Sequence, residues 1–256
     1  MVVLLISKQM SINPGFYKFR AWSVHFYTSI GLLTGLLALQ AIFMGEAQRA
    51  IMWLGLAALI DTTDGTLARR FRVSYWVPQF NGQLLDNIID YLNYTFIPVV
   101  FAYYFELVPP AAIPVLGLVL IVAAYGFCNT SAKTADGYFT GFPNYWNVMF
   151  FYLYLFAWPS YINVVIMLIF IGLVFVPIRY ISASTRPLRH ATLIIMVAFA
   201  VAVVMMGITI HNVDMRLVIG SLAAAVYYFA ASFYLHFIYE PSRDVNQSDT
   251  NPLGAH

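Results

Sequence analysis

Apolar residues gather into eight stretches, near 22–44, 48–70, 83–106, 110–128, 144–158, 162–178, 190–210 and 215–238, with short polar connections between them. A helix needs roughly 20 apolar residues to cross a bilayer core, and most of these stretches reach or approach that length. The fifth is short and is bounded by Pro159, so its ends are the least defined. Strands of a membrane barrel would alternate polar and apolar residues in pieces of about ten, and no such alternation occurs. The pattern predicts an all-α polytopic membrane protein with about eight transmembrane helices. An interfacial segment is expected over 1–21, the transmembrane domain over 22–239 and a disordered polar tail over 240–256. Within the first, Pro14-Gly15 reads as a chain break. Phe16, Tyr17, Lys18, Phe19 and Arg20 then mix rings with cations, as a segment lying in the membrane interface does.

Composition agrees: 61% of residues are hydrophobic, 9% are charged and the mean hydropathy is +0.77. The single cysteine, Cys128, excludes an intrachain disulfide and argues against a thiolate metal cluster. Charge placement orients the chain. With eight spans and the N-terminus inside, the outer loops carry only Arg49 and Arg216 of the 13 basic residues. The positive-inside bias then puts both termini in the cytoplasm.

Against this background the stretch Asp61–Asp90 stands out, because it holds four of the 11 acidic residues. Carboxylates inside a membrane are costly and mark function by default. Asp61 and Asp64 lie three apart, and Asp86 and Asp90 four apart, so each pair shares a helix face. The two spans are antiparallel neighbours, so the pairs can face each other. Four facing carboxylates need cations between them. With no His or Cys interleaved, hard divalent ions, Mg²⁺ or Mn²⁺, are the natural ligands, and four acids suit two ions, a geometry used in phosphoryl chemistry. Gly65 and Gly82 leave room for a phosphate or base to approach the backbone. Arg69, one turn beyond Gly65, can clamp a pyrophosphate. A cation-coupled transporter would explain the acids but not the Gly-x-x-Ala-Arg after them.

Asp61-Thr-Thr-Asp64-Gly65-Thr-Leu-Ala68-Arg69, followed by Gly82-x-x-x-Asp86-x-x-x-Asp90, resembles the signature of the CDP-alcohol phosphatidyltransferases. Twelve residues separate Arg69 from Gly82, more than in most of that family. This longer gap resembles the bacterial phosphatidylcholine synthases. So do Val24–Gly31, Lys133–Pro143, Trp146-Asn147 and Leu188–Thr192, and the likeness runs from about residue 20 to 195. The resemblance implies that Asp61, Asp64 and Asp86 hold two metal ions. Asp90 would complete the second metal site and act as general base. Arg69 would bind the CDP pyrophosphate, while Asp61, Gly65, Ala68 and Gly82 shape the nucleotide pocket. It further implies CDP-diacylglycerol as donor, a phospholipid product, a homodimer, and a bacterial inner-membrane enzyme with its site facing the cytoplasm. No nucleic acid partner is expected.

Choline, a quaternary ammonium, is best recognised by aromatic faces, with carboxylates adding long-range attraction. Tyr138, Phe142, Tyr145 and Trp146 crowd the region after the fourth span, beside Asp136 and Asn147, and this is where a choline site is expected. Rings also collect at membrane interfaces without any ligand. Serine remains open as an acceptor. So does a phosphorylated alcohol such as glycerol phosphate or inositol phosphate, read by Arg179, Arg186 and Arg189.

Overall fold

A computed structural model describes residues 13–129, 138–181 and 188–239. Among the described residues, eight helical segments follow one another in the predicted order, each called a pass below. They are α1 (Pro14–Phe43), α2 (Ala47–Arg70), a third pass built from α4 (Gly82–Asp90), a π-helical turn (Tyr91–Phe96) and α5 (Ile97–Tyr104), then α6 (Ile113–Cys128), α7 (Trp146–Phe156), α8 (Ser160–Phe175), α9 (Arg189–Ile208) and α10 (Met215–Tyr234). Among the described residues, four passes are long and apolar enough to cross a membrane by themselves: α1, α6 with its 3₁₀ entry, α9 and α10 with the start of its π-helical end. The α2 helix has 24 residues but carries the acids. The α7 helix, at 11 residues, is shorter than the stretch the sequence suggested, because Ala157 turns left-handed (φ 46°) and starts the reversal into α8. The only strand pairing in the described residues is a two-residue ribbon, β1 (Phe139–Thr140) against β2 (Arg179–Tyr180). This is an all-α polytopic membrane protein.

Pro14 opens α1 instead of breaking the chain. Asn13 accepts from Gly15 N and Phe16 N at 3.0 and 3.3 Å, and proline at the first helical position has no amide hydrogen to leave unpaired. The helix then runs unbroken through the aromatic and basic residues into the span. Its buried positions include Ala21, Val24, Thr28, Gly31, Gly35, Ala38 and Ile42. This is a stripe of mostly small residues at intervals of three and four, the pattern that lets membrane helices approach closely. The α2 helix packs most extensively along α1, and the third pass crosses it at the glycines. A Cβ on Gly35 would stand 2.7 Å from Asn93 Oδ1 and 2.8 Å from Ile97 Cδ1, so a larger residue there would have to displace those two side chains.

The long gap before Gly82 is folded. Arg72 takes a left-handed conformation (φ 50°), ends α2 and starts the single turn α3 (Val73–Trp76). Val73 and Val77 bury themselves against Ala21 and Val24 of α1. Trp76 stacks on Tyr17 with centroids 4.8 Å apart, Phe80 lies 4.5 Å from the His25 ring, and the Arg20 guanidinium covers Phe71 at 4.2 Å. Asn81 caps α4 through Leu84 N. The inserted residues therefore seat the N-terminal third of α1 and fix where α4 begins.

The remaining passes form the other half of the bundle. Its core holds Phe101, Val119, Phe150, Met167 and Tyr180 among others. Hydroxyl pairs tie helices together there: Tyr152 with Ser221 at 2.6 Å, and Thr192 with Tyr227 at 2.9 Å. Exposed Leu, Ile, Val and Phe side chains cover the outside, as lipid contact requires.

Candidate active site

Three elements build the site. The α2 helix supplies Asp61 and Asp64, α4 supplies Asp86 and Asp90, and α1 supplies the wall between them. Carboxylate oxygens of Asp61, Asp86 and Asp90 all lie within 4.8 Å of one another. Asp64, only 6% exposed, lines the same pocket one turn along α2. The pocket is completed by Thr28, Gly31, Ile60, Ile89, Asn93 and Tyr94. Three half-buried acids this close repel strongly unless a cation or a shared proton lies among them. The donor set is oxygen only, which fits Mg²⁺ or Mn²⁺.

The acids are oriented by hydroxyls from neighbouring helices. Tyr94 donates to Asp61 Oδ2 at 2.7 Å, and Thr28 donates to Asp64 Oδ2 at 2.7 Å. Tyr27 and Thr63, beside this pair, bring their hydroxyls to 2.7 Å. The π-helical turn directly after Asp90 sends three side chains to three helices. Tyr91 reaches Leu120 O on α6 (3.2 Å), Asn93 reaches Gly31 O on α1 (3.0 Å) and Tyr94 reaches Asp61 on α2. Such wide turns are frequent at functional sites.

The residues expected to hold the nucleotide follow along α2 and at the start of α4. A side chain on Gly65 would meet only the Arg69 guanidinium, at 3.6 Å, so space is open there. Arg69 is exposed and reaches Thr66 Oγ1 at 3.3 Å, leaving further N–H donors on its fork. Ala68 packs against the α3 turn, and a Cβ on Gly82 would stand 2.7 Å from the His25 ring. Gly82 thus lets α4 begin in close contact with α1.

The residues expected around choline divide into two groups. Trp146 is fully buried, with its indole N–H on Asn144 Oδ1, and Phe142 is packed among Phe170, Tyr180 and Phe229. Tyr138 is buried near the Arg179 guanidinium, 6.0 Å from its ring centroid, and Asn147 Oδ1 accepts from Val148 N at the start of α7. Tyr145 differs from these rings in being only half-buried. Its ring meets Tyr228 edge-on, with centroids 5.9 Å apart. Asp136 and Arg186 lie outside the described residues, as do Lys133 and the expected tail from 240 onward.

Sequence reasoning assigned no role to Thr28, Asn93 or Tyr94. Thr28 sits within the Val24–Gly31 stretch that resembled known proteins, and Tyr94 lies one turn past Asp90. Hydroxyl and amide side chains are common in membrane helices, however, and their partners depend on how the helices are placed against each other.

The profile of the CDP-alcohol phosphatidyltransferase family matches residues 25–176, more than half of the chain. Proteins named phosphatidylcholine synthase are similar over most of its length. That of Pseudomonas aeruginosa is 36% identical over 223 residues, 86% of this chain and 92% of its own. That of Borreliella burgdorferi is 39% identical over 175 residues, 68% of this chain and 75% of its own. That of Legionella bozemanae is 34% identical over 213 residues, 78% and 96% of the two chains.

Proposed function

The chain belongs to the CDP-alcohol phosphatidyltransferase family, and from that premise we propose that it transfers the phosphatidyl group of CDP-diacylglycerol to choline, giving phosphatidylcholine and CMP. The observation that carries the reading is the convergence of Asp61, Asp86 and Asp90 on one pocket, with Asp64 beside it, in a chain similar to several phosphatidylcholine synthases.

Asp61, Asp64, Asp86 and Asp90 would hold two divalent ions, Mg²⁺ or Mn²⁺. Bound there, these supply charge neutralisation for the pyrophosphate and for the oxygens entering and leaving phosphorus. Arg69 clamps the CDP pyrophosphate, and the open space at Gly65 admits it. Asp90 takes the proton from the choline hydroxyl. The oxygen so freed attacks the phosphorus bearing diacylglycerol, and the bond from that phosphorus to the CMP oxygen breaks. Tyr145, the half-buried ring among the expected choline residues, offers a ring face to the trimethylammonium group. The enzyme would work as a homodimer in the bacterial inner membrane, with its site open to the cytoplasm.

Purified protein in detergent, given CDP-diacylglycerol and Mn²⁺ or Mg²⁺, is expected to release CMP and form phosphatidylcholine with choline. It should give no product with serine, glycerol 3-phosphate or inositol phosphate, and chelator should stop the reaction. Turnover with serine but not choline would remove the acceptor assignment. A cation–π contact contributes about 0.5–2 kcal/mol, so Tyr145→Ala should raise the KM for choline roughly two- to thirtyfold and leave the KM for the lipid donor near its starting value. An unchanged choline KM in this variant would place the ammonium elsewhere.

A further inference from the structure

We propose that Tyr94 and Thr28 are positioning residues of the metal site, each binding one oxygen of an α2 aspartate so that the other oxygen faces the ion. The inference rests on reading the acidic pocket as a divalent-ion centre, and it concerns two side chains that are not themselves ligands.

A carboxylate accepts through two oxygens and donates nothing when ionised. The hydrogen in each contact therefore comes from the hydroxyl: Tyr94 to Asp61 Oδ2 and Thr28 to Asp64 Oδ2, both at 2.7 Å. That distance is in the range of charge-assisted O–H···O⁻ bonds, the stronger class. In each aspartate it leaves the second oxygen without this restraint. Both hydroxyl-bearing side chains line the pocket together with the acids they bind.

The behaviour of neighbouring hydroxyls argues against incidental contact. A serine or threonine inside a helix ordinarily bonds back to a carbonyl one turn earlier in its own helix. Ser23, Ser29 and Thr34 of α1 do this, as do Thr62 and Thr63 of α2. Thr28, in the same stretch of α1, instead reaches across to Asp64. A similar contrast holds on the π-helical turn. Tyr91 and Asn93 go to main-chain carbonyls of other helices, whereas Tyr94 goes to a carboxylate. The wide turn directly after Asp90 thus lets one pass present a metal-site acid and the group that aims the acid on α2. The α1 helix contributes none of the four acids but aims Asp64.

Partners of this kind typically govern metal affinity by about 10–100-fold, which sets the test. Full-length protein stripped with chelator and held in detergent is titrated with Mn²⁺ alone, and free Mn²⁺ is read by electron paramagnetic resonance with no nucleotide or choline present. Tyr94→Phe and Thr28→Val should each weaken Mn²⁺ binding by about 10–100-fold, and Thr28→Ser should restore it. In turnover assays the Mn²⁺ requirement should shift by the same factor, with most of kcat returning at saturating Mn²⁺. Wild-type Mn²⁺ affinity in both Tyr94→Phe and Thr28→Val would overturn the proposal. So would lower melting temperatures in chelator with Mn²⁺ affinity unchanged, since that pattern belongs to packing alone. Failure of the unaltered protein to bind Mn²⁺ would overturn the ion-centre reading and this inference with it, and is seen before any variant is compared. Failure to use choline would leave the titration unaffected.

Discussion

Replacing Asp90 with asparagine is expected to lower kcat by about 10²–10⁴-fold, the contribution general acid–base catalysis ordinarily makes, while CDP-diacylglycerol still binds. The amide keeps the shape of the carboxylate and one oxygen to face the cluster, but it cannot take a proton from the acceptor alcohol. Asp90 is suited to that task by position. It closes α4, shares a face with Asp86 one turn earlier, and lies within 4.8 Å of Asp61 and Asp86 by its oxygens. The measurement is single-turnover CMP release beside equilibrium binding of the nucleotide–lipid. Wild-type turnover in this variant would remove Asp90 as the base, and loss of nucleotide binding would make it chiefly a metal ligand.

The second large effect is expected at Asp61, and it has two signs. Asp61→Asn should cost at least about 10³-fold in turnover, because metal stabilisation of a phosphoryl transition state is worth several kcal/mol. In chelator the same variant should melt at a higher temperature than the unaltered protein. Two unit charges within 4.8 Å repel by roughly 3 kcal/mol at an effective dielectric of about 20. Removing one of three such acids relieves that strain, and an asparagine oxygen can still accept from Tyr94. With saturating Mn²⁺ the order should reverse, because only the unaltered protein gains the full binding energy of the ions. A scanning melt with and without Mn²⁺ checks both signs. A variant that melts lower than wild type in chelator would mean that the acids are not opposed in the empty site.

Much of this arrangement was legible in the residues. Apolar stretches placed all eight passes. The structure departed most at the first stretch, where α1 begins at Pro14 because Asn13 caps it. The fifth was shortened by the left-handed turn at Ala157, which depends on how the chain must reverse and not on hydropathy. Spacing of three and four put each acidic pair on one helix face. That the pairs converge depended on a second fact, the small-residue stripe of α1 that lets the third pass approach at Gly35. The twelve-residue gap was visible as a marker, but its physical content was not. Only the structure shows Val73 and Val77 buried on Ala21 and Val24, which sets the starting point of α4. Ring-rich composition pointed to the region around 138–147 without separating side chains packed in the core, Phe142 and Trp146, from the half-buried Tyr145. Side-chain partners such as Thr28 with Asp64 were beyond sequence reading, since they depend on the relative rotation of two helices.

The position of Asp61 along α2 has a consequence for how such an enzyme meets its substrates. It lies nine residues before Arg70, the last residue of that helix, or about 14 Å at 1.5 Å per residue. Under the proposed function, the reacting groups would meet about that far along α2 from Arg69 and Arg70 in its last turn. A lipid donor would then reach the pocket sideways and its product would diffuse away in the same leaflet, with no need to be lifted into water. Lipid supply would be counted per unit of membrane area, and only the acceptor and the departing nucleotide per unit of volume.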